Sequence, residues 1–428
     1  MQTTSTFTGG VFGLGLLACL PFLGCDEGGG PDPDALPFEP AGPASVPDPG
    51  APGPFPVGVM TLDLVDESRT YSDTGEPRRL KTEVYYPATA AARDGPFMVY
   101  DLKDEITPEN VGADNYAIMM AAELPIIPTQ TVRDAEPDKR HGPYPVILYS
   151  HGANGMRWQS FSYTIHLASH GYVVISPDHE RNLLWDILKD GWDPSAVAVS
   201  APMRIDDATF LLDHFLDRAQ TEGDFFQGLL NRRQVGISGH SFGGWTTLVM
   251  LCQDIRFKVG VAHAPEIGLA YPFCACDVQS NTCPDFPKPV MVQGGTLDST
   301  LRYRDQYCGY RSFLGDQPKY LVEILDGGHF TFSDICRLNL LSLDDALVLG
   351  EQARDALEDG CGPDNLPWDD AMRIINHYSV AMFNVYLRES PGTQAELVQR
   401  QDDPFPRCLF HAGQVPEWPD GGCVATPP

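Results

Sequence analysis

The chain has 428 residues, a hydrophobic share of 43% and a formal net charge of −29. That apolar share is enough to bury a full core. The acidic balance leaves no basic stripe to neutralise phosphates, which excludes nucleic acid and anionic membranes as electrostatic partners and favours neutral substrates.

The first 25 residues carry no charged side chain, and Val11 to Leu23 form an apolar run. The run falls short of the roughly 20 residues a bilayer span needs, so it reads as a secretion signal. Leu16-Leu17-Ala18-Cys19 and Phe22-Leu23-Gly24-Cys25 both resemble the bacterial lipobox, which would make Cys25 a lipidated membrane tether; ordinary cleavage and release is the alternative. Residues 26–56 are Pro, Gly and acid-rich without Lys or Arg, the composition of an extended linker.

Eight strands follow, over Val57 to Val65, Leu80 to Tyr86, Val146 to Ser150, Tyr172 to Ser176, Gln234 to Ser238, Lys258 to His263, Pro289 to Gln293 and Tyr320 to Leu325. From the third onward they are continuous apolar runs, as in parallel strands covered on both faces. Helical patterns lie between them near Trp158 to Ser169, Met203 to Arg218, Ser241 to Gln253 and Tyr303 to Leu314, and two more near Leu338 to Glu358 and Trp368 to Arg388. The alternation predicts an α/β fold, a doubly wound and mostly parallel eight-stranded sheet with helices on both faces. The catalytic domain spans 57–390, with a Cys-containing tail over 391–428. Residues 91–142 form the largest insertion, either a cap or an ordinary packed excursion.

Setting aside Cys19 and Cys25, Cys252 falls in a helical apolar pattern and reads as a buried thiol. Cys274, Cys276, Cys283, Cys308, Cys336, Cys361, Cys408 and Cys423 could form four bridges of undefined connectivity, which implies an oxidising compartment. A metal site at Cys274, Cys276 and Cys283 is the weaker alternative, since no His or second Cys pair completes it.

A serine hydroxyl needs a base and an oxyanion site to act as a nucleophile near neutral pH. Ser241, in Gly239-His240-Ser241-Phe242-Gly243, stands between the fifth strand and an apolar helix, the setting of a nucleophile elbow. Asp298 follows the seventh strand and His329 the eighth, in the order Ser, acid, His. His329 would take and return the serine proton while Asp298 fixes its tautomer. Competitors are His151, His240 and His263 for the base, and Asp178 and Asp326 for the acid. The oxyanion donors would be the N–H groups of Phe242 and of Ala153, in the loop after the third strand. Met156, Trp158 and Phe161 would line a substrate pocket, or else pack in the core. This chemistry calls for no metal and no cofactor.

Ser150-His151-Gly152, His166 to Val174, Pro177-Asp178-His179, Gly239 to Gly244, Gly294 to Asp298 and Gly327-Gly328-His329-Phe330 together resemble the platelet-activating-factor acetylhydrolase and "predicted dienelactone hydrolase" group of the α/β-hydrolase superfamily, which adjoins bacterial cutinase-like polyester hydrolases. The resemblance runs from Val57 to Arg388. It implies a calcium-independent ester hydrolase acting on short-acyl or phospholipid-type esters, with Ser241, Asp298 and His329 as the triad. Dienelactone hydrolases use a Cys nucleophile where this chain has Ser241, and polyester hydrolases an aromatic residue where it has Ala153. An acyltransferase using the same triad would be distinguished by product partitioning with an added alcohol. A non-catalytic envelope binding protein should have lost at least one of these parts.

Overall fold

The structure is a computed structural model that describes residues 47–71, 74–191, 193, 195–274, 276–277, 282–283, 286–338, 358–388, 405–419 and 423. The expected signal segment, Cys25, residues 26–46 of the linker and nearly all of the expected helix near Leu338 to Glu358 lie outside them.

The strands are β1 (Val57–Thr70), β2 (Pro77–Pro87), β3 (Phe97–Tyr100), β4 (Ile127–Arg133), β5 (Tyr144–Ser150), β6 (Val173–Pro177), β7 (Leu230–His240), β8 (Phe257–His263), β9 (Val290–Gly295), β10 (Lys319–Ile324) and β11 (Cys408–Ala412). They form one 11-stranded sheet in the order β11-β10-β9-β8-β7-β5-β6-β2-β1-β4-β3. The run from β10 to β6 is parallel, while β11 and the β6–β2–β1 wing pair antiparallel. The helices are α1 (Pro108–Val111), α2 (Ala113–Ala121), α3 (Phe161–Ser169), α4 (Leu184–Asp190), α5 (Ser195–Arg218), α6 (Phe242–Gln253), α7 (Tyr303–Ser312) and α8 (Trp368–Leu387).

Alternate residues of the parallel strands feed two cores. Ile147 and Tyr149 of β5 pack with α3 and α8 on one face, and Val146 and Leu148 with α5, α6 and α7 on the other. This two-sided burial is why these strands read as continuous apolar runs. The chain leaves β5 for β6 on one side and reaches β7 on the other, so β5 is a topological switch point. The loops after β5 and β7 therefore open the crevice where this architecture binds ligands.

Eight of the strands match the expected ones in order; three were not foreseen. The insertion 91–142 supplies β3 and β4, which lengthen the sheet at one edge, and β11 lengthens it at the other, so the tail is part of the domain. These strands are edge pairings made late in the sheet order, and β4 alternates buried and exposed residues too briefly to stand out. The end of the expected linker is also docked rather than free. The carbonyls of Pro49 and Ala51 accept hydrogen bonds from the His166 and His170 rings, and the Gly53 N–H donates to Ser169 Oγ.

The cysteines pair as Cys252–Cys274, Cys276–Cys283, Cys308–Cys423 and Cys336–Cys361. This corrects the reading of Cys252 as a thiol: it sits at the end of α6, where Cys274 of the next loop reaches it. Cys408, buried on β11, is outside these pairs. The pairing also removes the Cys274, Cys276 and Cys283 metal reading, because all three sulfurs are used. The bridges belong to an extracellular, oxidising environment.

Candidate active site

β7 ends at His240 and α6 starts at Phe242, leaving Ser241 alone at the turn with φ 56° and ψ −116°. A non-glycine residue held there costs about 1–3 kcal/mol, and it persists only where its surroundings impose it. Here the Ser241 N–H donates to the His263 carbonyl at 2.8 Å, and the Ser241 carbonyl accepts from Trp245 N–H at 3.0 Å. The flanking glycines let the turn press against β5: a Cβ on Gly243 would collide with the Ser150 carbonyl, and one on Gly239 with the Gly243 carbonyl. Ser241 is only half-buried among buried neighbours.

Parallel pairing of Ile324 with Gly295 sets the loops after β9 and β10 side by side. They carry Asp298 and His329. His329 Nδ1 donates to Asp298 Oδ2 at 2.9 Å, which leaves Nε2 as the ring's proton acceptor. The same carboxylate accepts from Gln306 Nε2 at 2.7 Å and from the Leu301 N–H at 2.8 Å, so its orientation is fixed from three directions.

Asp359 clamps both loops. One of its oxygens accepts from the His329 N–H at 2.9 Å; the other accepts from the N–H and hydroxyl groups of Ser299 and Thr300 at 2.7–3.1 Å. Burial opposes ionisation of Asp359, but these hydrogen bonds outweigh it and hold its carboxyl below the usual value.

His240 ties this region to the loop after β5. Its Nδ1 accepts from Gln159 Nε2 at 2.7 Å and its Nε2 donates to the His329 carbonyl at 2.9 Å, while Gln159 Oε1 accepts from the Gly152 N–H at 3.1 Å. Burial first, then the nearby His329, push the His240 pKa well down, so the ring is neutral in this bridge. Among the described residues neither the Ala153 nor the Phe242 N–H has a protein acceptor. Two backbone donors beside a nucleophile elbow can serve a developing oxyanion.

The structure thus brings Asp298 and His329 into direct contact, and His240, the residue preceding Ser241, is hydrogen-bonded to the His329 carbonyl. Among the described residues no hydrogen bond joins the Ser241 hydroxyl to the His329 ring. Met156, Trp158 and Phe161 fall elsewhere: all three are buried in the α3/α8 core, with Trp158 stacked on Tyr100 at 4.8 Å, so they offer no surface to a ligand. The rival acids are engaged away from His329, Asp178 with Arg157 at 3.0 Å and Asp326 with Arg407. His263 packs against Phe332, its pKa pushed by burial down to about 3. Among the described residues no group of His, Cys, Asp or Glu could hold a metal ion.

The sequence reading missed Gln159, Gln306, Asp359 and Arg204. Only Arg204 left a signal. With Asp207, Ala208 and Leu211 it lies on the buried stripe of α5, where an unpaired charge is out of place.

A family model described as platelet-activating factor acetylhydrolase, isoform II, matches residues 46–184, and one described as prolyl oligopeptidase family matches residues 225–276. A probable 1-alkyl-2-acetylglycerophosphocholine esterase of Arthroderma benhamiae is 27% identical over 49% of this chain and 56% of its own length. The platelet-activating factor acetylhydrolase of Cavia porcellus is 29% identical over 28% of this chain and 35% of its own length. The chain thus spans little more than half of the first relative and about a third of the second. A ferulic acid esterase from Streptomyces cinnamoneus superposes with a TM-score of 0.59 at 22% identity, covering 83% of this chain and 96% of that one, which shows a shared fold.

Proposed function

Since this chain has the α/β-hydrolase fold and resembles the platelet-activating factor acetylhydrolase group, we propose that it is a serine carboxylic-ester hydrolase acting on short-acyl or phospholipid-type esters. The observation that carries the reading is the 2.9 Å bond from His329 Nδ1 to Asp298, set beside the Ser241 elbow. Ser241 Oγ attacks the ester carbonyl carbon as His329 Nε2 takes its proton, and Asp298 stabilises the imidazolium. The carbonyl oxygen becomes an oxyanion held by the N–H groups of Ala153 and Phe242, the latter at the positive end of α6. Collapse expels the alcohol, protonated by His329; water then cleaves the acyl-enzyme by the same steps in reverse roles. The disulfides and the apolar run Val11 to Leu23 fit a secreted or cell-envelope protein, either released by cleavage or tethered through a lipidated Cys25.

Hydrolysis of p-nitrophenyl esters of graded acyl length tests this directly. The protein should turn over the acetyl ester fastest and bind a fluorophosphonate at Ser241, and Ser241→Ala should abolish both. A folded parent protein that neither hydrolyses these esters nor takes the label would sink the reading.

A further inference from the structure

Arg204 is fully buried on α5, yet its hydrogen-bond partners are all neutral. Nη1 donates to Ser150 Oγ at 3.1 Å and to the His151 carbonyl at 2.5 Å; Nη2 donates to the Gly152 carbonyl at 2.9 Å and to Asn182 Oδ1 at 2.5 Å. Asp207, one turn further along α5, is turned to Arg78 and His179 instead. A buried cation without a carboxylate partner is costly, and such groups are retained where their field or geometry is used.

Its placement suggests the use. In a trans peptide the C=O and N–H point in opposite directions within one plane. The carbonyl of the Gly152–Ala153 peptide accepts three donors: Arg204 Nη2, His151 Nδ1 at 2.7 Å and the Gly155 N–H at 3.2 Å. His151 can donate from Nδ1 because its Nε2 accepts from the His179 N–H at 3.0 Å. The Ala153 N–H at the far side of the plane is therefore aimed by the same bonds, and donors on the carbonyl polarise it into a stronger donor. The guanidinium also lies over the Phe242 ring, 4.4 Å from its centroid. One side chain touches the peptide that carries one oxyanion donor and the residue that carries the other.

We propose that Arg204 is a positioning residue of the oxyanion hole, setting the direction of the Ala153 N–H through the Gly152 carbonyl and the seat of Phe242 by stacking, and adding a buried positive charge behind both donors. This rests on the assignment of Ala153 and Phe242 as oxyanion donors.

The test compares the parent, Arg204→Lys and Asn182→Ala with p-nitrophenyl acetate and with a trifluoromethyl ketone, whose adduct with a nucleophilic serine carries its own oxyanion. Lys cannot reach all of the guanidinium's acceptors. Loss of one oxyanion donor costs about 10²–10³ in kcat, so a misaimed one should cost about 10–100-fold. In Arg204→Lys, kcat should fall by that factor, the ketone Ki should rise in parallel, and KM should stay within about threefold. Asn182→Ala loosens the guanidinium but leaves it in place, and should shift kcat and Ki together by about threefold to tenfold; it carries the test alone if Arg204→Lys does not fold. A folded variant with kcat and Ki both unchanged, or with only KM raised, overturns the proposal. A parent that binds the ketone and hydrolyses the ester while the variants fail to respond removes the Arg204 role alone; a parent that does neither removes the hydrolase reading beneath it.

Discussion

Among the described residues two His–Asp pairs have the same 2.9 Å separation, each near a serine. In one, His329 Nδ1 contacts Asp298 at 2.9 Å beside Ser241. In the other, Ser150 Oγ meets His179 Nε2 at 2.9 Å and His179 Nδ1 meets Asp207 at 2.9 Å. By hydrogen bonding alone the second is the better formed, since its serine is already on its histidine. What separates them is everything around the three residues. Ser150 is 1% exposed at the end of β5, and Arg204 donates to its hydroxyl oxygen, occupying a lone pair that attack would need. Ser241 is partly exposed on a strained turn at a helix N-terminus, with two backbone donors beside it. Burial, then Arg204, pull the His179 pKa down to about 4, so that histidine is a poor proton acceptor near neutral pH. Residue types at hydrogen-bond spacing make a network; access and backbone donors without a protein acceptor are what the proposed site has in addition.

The sharpest way to break that contrast is to exchange the serines' fates. Ser241→Ala should lower kcat by at least about 10³-fold and remove fluorophosphonate labelling. Ser150→Ala should lower kcat by no more than about tenfold and leave the label in place; label found on Ser150 would overturn the distinction. Next in size, Asp298→Asn keeps the shape but presents the wrong group to His329, and kcat should fall about 10³–10⁴-fold with KM little changed. Asp207→Asn, its counterpart in the buried array, should cost mainly stability, read as a lower Tm, because Arg69 and Arg78 would lose their carboxylate.

Asp359→Ala tests whether the clamp between the two loops matters to the reactive array. It should reduce kcat by about 10–100-fold, with a Tm decrease too small to explain the loss. An unchanged kcat would show that the Cys336–Cys361 bridge and the rest of the loop hold His329 without it.

The broadest effect, which leaves the chemistry untouched, is on acid stability. Burial, the largest cause in each case, lowers the pKa of His166 and His179 to about 4 and of His170 and His263 to about 3, below the ordinary histidine value of about 6.5. Between those values and 6.5 the unfolded chain binds protons that the folded chain does not. Stability therefore falls as pH drops through that window, by up to about 1.4 kcal/mol per pH unit for each such histidine. Urea midpoints measured from pH 7 to pH 4 should decline steadily; a flat profile would mean that these rings are protonated in the fold.

Much of this arrangement was legible in the chain. The placement of Ser241 on a turn between a strand and a helix could be read because the strand, the flanking glycines and the helix are contiguous, and each obeys a local rule of packing or backbone conformation. The contact of Asp298 with His329 could be anticipated because parallel strands end at one edge, so residues just past them converge. Local rules failed where a role depended on distant partners. Cys252 looked like a core thiol until Cys274 came beside it, and Trp158 looked like a pocket wall until Tyr100 covered it. Asp359 sits 30 residues beyond His329 with no motif around it, and its role exists only once two loops meet on its carboxylate. The chain alone determined the order of strands and helices and the residues at the crevice, because hydrophobic periodicity and turn chemistry are written in neighbouring positions. Which serine is accessible and which is sealed, and where the buried Arg204 guanidinium sits, was decided by tertiary packing, because burial and hydrogen-bond direction belong to no single segment.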